Sequence, residues 1–486
     1  MKAVSGQVRR LAAAAAIACV SLASIAATGA DAVRAETRAR AADTAPDFVL
    51  APPRGLVGDF GGFGSQLNQH VYANISGPPP NLPELERKVL EARPQLVRIF
   101  FNTTAWSFPD RLASFGRTVA LAHRSGARVN VTWQGSGVPF ALANMDRFAA
   151  VIADQLERTG MGAIWVTLFN EPNSTRITLA QYEAVYRRLD AHLRERGVRE
   201  RVHFMGGDLL GTTSPLGQTQ VDWFRYLAAE MGDLLDAWSV HVYWDFWDAG
   251  KIDRRLAAEV RAIFAAIPEG QRRPLYVTEF GVRGVPTFEG ESGAQPGLWP
   301  DGTPMSETTM SAFQHAWFML RASQLGFSGT VKWDLYQARY DAGTQDHSAI
   351  GPGSEGWQLR PVYHLLQLFS LVTEPRGGRI VELVARPGVE PTKLVSAYLS
   401  PGGNITVLGL DTRGGLVTTT LFDRVEHAIG GLPPGSRLRL LVWNGLGDGR
   451  TTEVGYLATD ASGVARFSTP LHAVFALTST AVELPR

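Results

Sequence analysis

The chain is almost without cysteine. Cys19 is the single one among 486 residues. An intrachain disulfide is therefore excluded, and so is a thiolate metal cluster. An excess of charge of one sign is missing as well. The formal net charge is +1, so no long-range field draws the protein toward nucleic acid or anionic lipid, and a neutral partner is favoured. No HExxH stretch and no EF-hand loop occurs, and no spacing demands a metal. What is present is ordinary for a folded enzyme-sized chain. Apolar residues make up 45% and charged residues 19%, enough for a substantial core.

The N-terminus reads as an export segment. MKAVSGQVRR is short and basic, LAAAAAIACVSLASIAA is apolar and small, and TGADAVRA offers small residues for cleavage. This three-part pattern is that of a secretory signal, assigned to residues 1–35 with the cut between Ala27 and Ala35. An uncleaved anchor is the alternative, and AIAC faintly resembles a lipoprotein box with Ala16 in place of a larger aliphatic. Because Cys19 lies in this run, the mature chain keeps no thiol for catalysis. The expectation is a secreted or periplasmic protein with no stable membrane insertion after cleavage, beginning with a linker at residues 36–53.

From residue 54 to 376 short apolar strands alternate with amphipathic helical stretches. The strands are GLVGDFG (Gly55 to Gly61), QLVRIFFN, ARVNVTW, AIWVTLFN, VHFMGGD, AWSVHVYW, PLYVTEFG and GTVKWDLY. Most are unbroken apolar runs, which suits parallel strands covered on both faces. Between them, TLAQYEAVYRRLDAHLRERG carries a capping-box pair, Thr178 and Gln181. It also carries an apolar stripe of Tyr182, Val185, Tyr186, Leu189 and Leu193. Eight such units over roughly 320 residues match a (β/α)8 TIM barrel. A doubly wound open sheet is the competing layout, but the glycines of GDFGGFGSQ lack a clearly capped helix behind them. Residues 377–486 change texture to closely spaced strands separated by Gly, Pro, Asn and Asp turns. They read as a C-terminal antiparallel β-sandwich. Its tryptophan, Trp443, sits in an apolar strand and points to packing rather than glycan binding.

In such a barrel the site lies at the C-terminal strand ends. The polar residues there are Asp59, Arg98, Asn102, Gln134, Asn170, Glu171, Asp208, His241, Tyr243, Glu279, Asp334 and Gln337. Two carboxylates stand out. Glu171 follows the fourth strand in LFNEPN, and Glu279 ends the seventh in YVTEFG. An ionised group at the mouth of a buried strand needs compensation, and a facing pair is the machinery of glycosidic cleavage. A separation of about 5 to 5.5 Å gives retention and about 6.5 to 9.5 Å inversion. Arg98 and the Tyr243 phenol are expected beside Glu279. Asn170 is placed for a sugar hydroxyl, His241 to orient a carboxylate. A structural role for Glu171, as a cap before Pro172, is the alternative. Trp106, Trp133, Trp244, Trp247, Trp299 and Trp333 divide between core and sugar-stacking plates. Two long loops, Val282 to Met305 and Gln337 to Trp357, follow the seventh and eighth strands and support a cleft.

These motifs resemble those of clan A glycoside hydrolases. NEP and TEFG look like their acid/base and nucleophile segments, and LVRIFFN like the second strand whose arginine supports the nucleophile, here Arg98. VHVYW resembles the sixth strand, giving His241 and Tyr243, and VKWDLY the eighth, whose Trp333 would floor the sugar subsite. RPVYHLLQLFS leading into a sandwich is similar to family 39 and its neighbours. One departure is TWQG on the third strand, where family 5 cellulases usually show a histidine. The resemblance implies a retaining mechanism on a β-linked oligo- or polysaccharide, with Glu171 as acid/base, Glu279 as nucleophile and no cofactor. A glycan-binding protein that lost catalysis, or a transglycosylase, would share the same residues.

Overall fold

Eight parallel strands close into a barrel, each followed by a helix. The computed structural model describes residues 45–51, 56–73, 81–135, 137–283, 303–336, 346–375, 378–413, 423–445 and 449–484. The export segment with Cys19, Trp299, Gln337, most of the first long loop and residues 337–345 of the second lie outside the described residues. The barrel strands are β1 (Gly62–Leu67), β2 (Leu96–Asn102), β3 (Arg128–Gln134), β4 (Ile164–Leu168), β5 (Val202–Leu209), β6 (Ala237–Trp244), β7 (Leu275–Val282) and β8 (Gly329–Lys332). The helices are α1 (Leu82–Ala92), α2 (Pro109–Arg124), α3 (Val138–Thr159), α4 (Leu179–Glu195), α5 (Gln220–Glu230), α6 (Lys251–Ala266), α7 (Thr309–Gln324) and α8 (Pro361–Val372). None of the described helices is long and apolar enough to cross a membrane.

The helix starts follow from local chemistry. In α4 the Thr178 hydroxyl accepts from the Gln181 N–H at 3.2 Å, and the Gln181 side chain accepts from the Thr178 N–H at 3.0 Å. That reciprocal pair satisfies two N–H groups the helix leaves open. Thr219 and Asp222 do the same for α5, while α2 and α8 begin on Pro109 and Pro361, whose missing N–H costs nothing there. The stripe Tyr182, Val185, Tyr186, Leu189 and Leu193 is fully buried against the barrel. Closure requires close backbone approach at β1. A Cβ on Gly64 would lie 1.8 Å from the Leu96 carbonyl oxygen, so no larger residue fits between β1 and β2.

Two sequence expectations are corrected here. The first barrel strand is Gly62–Leu67, not the stretch from Gly55. Leu56–Asp59 instead pairs antiparallel with Arg379–Val381 in the sandwich, with Asp59 opposite Arg379. Asp59 therefore stands away from the barrel mouth. Residues 36–53 are likewise not simply a linker, because Phe48–Leu50 is a strand of the sandwich's four-stranded sheet. It lies between Leu383–Ala385 and Arg424–Gly430, and it runs parallel to the latter. That is the one parallel pairing in an otherwise antiparallel sandwich, among the described residues. The sandwich thus takes strands from both sides of the barrel in sequence.

The seven-stranded sheet packs on α7 and α8. Trp443 is fully buried, 5.2 Å from the Phe313 ring of α7, and its indole N–H donates to the Gly449 carbonyl at 2.6 Å. The Tyr398 hydroxyl donates to Ser323 of α7 at 3.0 Å, and Ser396 to the Leu320 carbonyl at 3.1 Å. One apolar core runs continuously from the barrel's helical layer into this sheet.

Candidate active site

The site is organised by one buried cation. Arg98, on β2, has no exposed surface. Its Nη1 donates to Glu279 Oε2 at 2.6 Å, and its Nη2 donates to Asp208 Oδ2 at 2.6 Å and to Asn170 Oδ1 at 2.7 Å. Its Nε donates to Thr132 Oγ1 at 3.0 Å, and Gln66 Oε1 stands 3.3 Å from Nη1. Five groups from strands β1, β3, β5, β7 and the β4 end are thereby held around a single guanidinium. Burial opposes that charge, but Asp208 and Glu279 outweigh it and raise the arginine's pKa further. A planar fork can serve several acceptors at once, which an ammonium on a flexible stem does not.

Glu279 sits low in the cleft, with its side chain 9% exposed. Besides Arg98, the Tyr243 hydroxyl donates to its Oε1 at 2.5 Å. Both carboxylate oxygens are therefore oriented. The phenol is buried beside this acid, and burial first, then Glu279, pushes the Tyr243 pKa far up, so it stays a donor. Glu171 sits higher, with its side chain 25% exposed, and His241 Nδ1 lies 3.0 Å from its Oε1. His241 is fully buried, and its Nε2 faces Asp208 Oδ1 at 3.5 Å. Burial disfavours the imidazolium, yet Glu279 and Asp208 together outweigh it and lift His241 to about 9. Asp208 shows the converse. Burial would raise its pKa, but Arg98 and His241 hold it well below the usual carboxylate range.

The two glutamates converge. One oxygen of Glu171, one of Glu279 and His241 Nδ1 all lie within 4.8 Å of one another. Among the described residues, these three are also the ones whose donor atoms lie close enough together to hold a metal ion. A metal there would have to displace Arg98, which stands 2.6 Å from Glu279, and the proton that the raised pKa of His241 favours on its imidazole. A capping role for Glu171 is ruled out by its contacts. It occupies the N-cap position of the short turn Pro172–Ser174, but its side chain makes no cap hydrogen bond.

The backbone that aims these groups is unusual. Phe169 (φ 67°), Glu171 (φ 49°) and Asp208 (φ 53°) adopt left-handed conformations, three of the seven such non-glycine residues among those described. Each costs on the order of 1–3 kcal/mol and persists where the surroundings over-determine it. The surroundings here are α4's own tyrosines. Tyr186 OH accepts from the Leu168 N–H at 2.8 Å and donates to the Met205 carbonyl at 2.6 Å, while Tyr182 OH accepts from the Gly207 N–H at 2.9 Å. Asn173 ties the loop after β4 to the loop after β5, donating to the Leu210 carbonyl and accepting from the Leu210 N–H at 3.0 Å. The stripe that anchors α4 is thus also what fixes the strand ends carrying Glu171 and Asp208.

Of the sequence candidates, Arg98, Asn170, Glu171, His241, Tyr243 and Glu279 come together. Trp333 is partly exposed at the end of β8, its ring 5.7 Å from Phe100, and the Trp333–Asp334 peptide is cis. Asn102 is taken up locally, accepting from the Thr104 N–H at 2.9 Å as a cap. Trp133 and Trp244 are core, whereas Trp247 is 54% exposed beyond β6. Asp208 is the residue whose importance the sequence hid. It is one of twelve polar strand-end residues there, with no motif around it. In the structure it accepts from Arg98, from Ser239 at 2.7 Å and from Thr278 at 2.5 Å. Alongside Asn170, the loops after β3 and β4 enclose a cavity of about 470 Å³.

No family model matches the sequence, and no curated protein does. Solved structures match in fold. The catalytic domain of the family 30 xylanase C from Talaromyces cellulolyticus overlays at a TM-score of 0.63 with 12% identity, over 89% of this chain and 100% of that one. The α-L-arabinofuranosidase of Thermotoga maritima gives 0.59 and 12%, over 89% and 99%. A family 39 enzyme of Xanthomonas axonopodis pv. citri gives 0.52 and 13%, over 91% and 98%. At these identities the likeness is one of fold: a (β/α)8 barrel carrying a β-sandwich.

Proposed function

We propose that the chain is a retaining glycoside hydrolase that cleaves a β-linked oligo- or polysaccharide by double displacement. The observation that carries this reading is the pair Glu171 and Glu279, with oxygens within 4.8 Å of each other at the C-terminal mouth of the barrel. A close approach of the two carboxylates is the arrangement expected for direct attack rather than for activation of an intervening water.

The roles follow from the surroundings. Glu279 is oriented at both oxygens by Arg98 and Tyr243, so it attacks the anomeric carbon. The bond to the leaving oxygen breaks as Glu171, the more exposed of the two, gives that oxygen a proton. An ester between Glu279 and the sugar results. A water then loses its proton to Glu171 and attacks the same carbon, releasing the sugar and restoring Glu279. His241 backs Glu171 and positions it. Asn170, held through its oxygen by Arg98, offers its amide hydrogens to the hydroxyl beside the reacting carbon. Trp333 supplies an apolar plate for the ring.

The structural neighbours are named for xylan, arabinofuranosides and β-1,6-glucan, which makes these the first members of a substrate panel. Purified protein is assayed on aryl glycosides and polysaccharides, together with Glu171→Ala and Glu279→Ala. Turnover by the parent and a loss of orders of magnitude in each variant is expected. Full activity in either variant removes the assignment. Export is part of the same reading, and N-terminal sequencing of the mature protein tests it against a start between residues 28 and 36.

A further inference from the structure

The cavity of about 470 Å³ beside Asn170 is not used by the proposed chemistry. Its walls mix apolar surface, Trp133, Pro139 and Phe169, with a few polar groups, among them Gln134 and Asn170. That is the make-up of a small-molecule site, and the volume falls in the usual range. Asn170 marks the border of this cavity with the reacting sugar: its oxygen is occupied by Arg98, and its amide is the group assigned above to the hydroxyl beside the reacting carbon. The cavity is formed by the loops after β3 and β4. It therefore lies on the Glu171 side of the cleft, away from Glu279 on β7 and Trp333 at the end of β8.

Arg176 is the charged side chain in its lining. It makes no ion pair or hydrogen bond among the described residues. Several exposed arginines on the neighbouring helices are paired, although Arg188 of α4 has no such contact among the described residues. Arg158 of α3 pairs with Asp154, and Arg187 and Arg194 of α4 pair with Glu183 and Asp190. No acid joins Arg176 in the lining, so an anion that entered would meet an uncommitted planar fork of donors, suited to a carboxylate.

We propose that this pocket is a leaving-group subsite for an acidic sugar, whose carboxylate is bound by Arg176. The placement rests on the glycosidase reading, because the leaving oxygen must lie next to Glu171. The binding of a uronate does not depend on turnover, and the two are read separately. The full chain is titrated calorimetrically with neutral disaccharides (cellobiose, xylobiose, galactobiose) and with their uronic counterparts (cellobiouronic, aldobiuronic and digalacturonic acids). At least one acid is expected to bind about thirtyfold tighter than its neutral partner, about 2 kcal/mol at 1.36 kcal/mol per factor of ten. Arg176→Gln reduces that preference to within threefold, and Arg176→Lys restores part of it. The proposal is overturned if no acid is preferred, or if the preference survives Arg176→Gln. Hydrolysis of the same panel is followed alongside: acid-selective binding without any cleavage would refute the glycosidase reading and leave the anionic pocket standing, whereas cleavage without acid preference does the reverse.

Discussion

His241 ties the site to the stability of the fold, and the link has a definite sign. The imidazole is buried between Glu171 at 3.0 Å, Asp208 at 3.5 Å and Glu279 at 3.8 Å, with Arg98 beyond them. In the unfolded chain it titrates near 6.5, and in the folded one near 9. A group whose pKa rises on folding adds stability that is fully present below the unfolded value and lost as pH climbs through the folded one. Between pH 6 and pH 10 the loss is about 3 kcal/mol, a large part of the 5–15 kcal/mol that holds a typical protein together. The assay is urea unfolding of the parent and of His241→Asn at several pH values, taking the difference at each. Glu259 on α6 is also buried and pushed up to about 8 by that burial. It titrates in the same window and is lowered in part by His241, so the difference carries that smaller coupling alongside the histidine's own titration. The parent's advantage is expected to shrink by about 3 kcal/mol from pH 6 to pH 10. A difference that stays constant within about 0.5 kcal/mol, or grows with pH, would refute a charged His241 held by its carboxylates.

Three further outcomes follow from the same contacts. Arg98→Met strands Asp208 and Glu279 as buried acids and should cost about 3–5 kcal/mol in unfolding free energy, whereas Arg98→Lys keeps more stability but not the three-way fork. Tyr243→Phe removes one donor from Glu279 and should lower turnover about ten- to a hundredfold, with thermal stability nearly unchanged. An unaltered rate constant would show that the 2.5 Å contact is idle. Gly207→Ala must fail differently. At φ 123° a Cβ would stand 2.3 Å from the Ser239 carbonyl oxygen, so the strand end shifts and Asp208 with it. Lost activity and a lowered melting temperature are expected together, and retention of both would contradict the rigid geometry described for β5.

The legible part of this protein was what its chemistry writes into contiguous residues. NEP and TEFG sit directly after apolar runs, so Glu171 and Glu279 were readable, and the strand count gave the barrel. Thr178 and Gln181 were readable because a capping box is local. What escaped depends on pairing across distance. In GLVGDFGGFG two strands are separated by two residues with no change in hydrophobic texture. Whether Leu56–Asp59 joins the barrel or the sandwich is decided by Arg379–Val381, more than three hundred residues later. Phe48–Leu50 was hidden in the same way. Asp208 was visible as an acid at a strand end, but its contact with Arg98 needs the left-handed turn at Gly207 and Asp208, which no local pattern announces. The tyrosines of α4 read as core, and they are; their hydroxyls doing the backbone's hydrogen bonding at β4 and β5 is a fact of the third dimension.

The most direct test of the account is stereochemical. Proton NMR follows the first sugar released from whichever aryl glycoside the protein cleaves, before mutarotation mixes the anomers. With the two carboxylates brought this close, the account predicts that the released sugar keeps the anomeric configuration of the substrate. Release of the opposite anomer would mean that Glu279 never attacks the sugar, and the account of this site would be wrong.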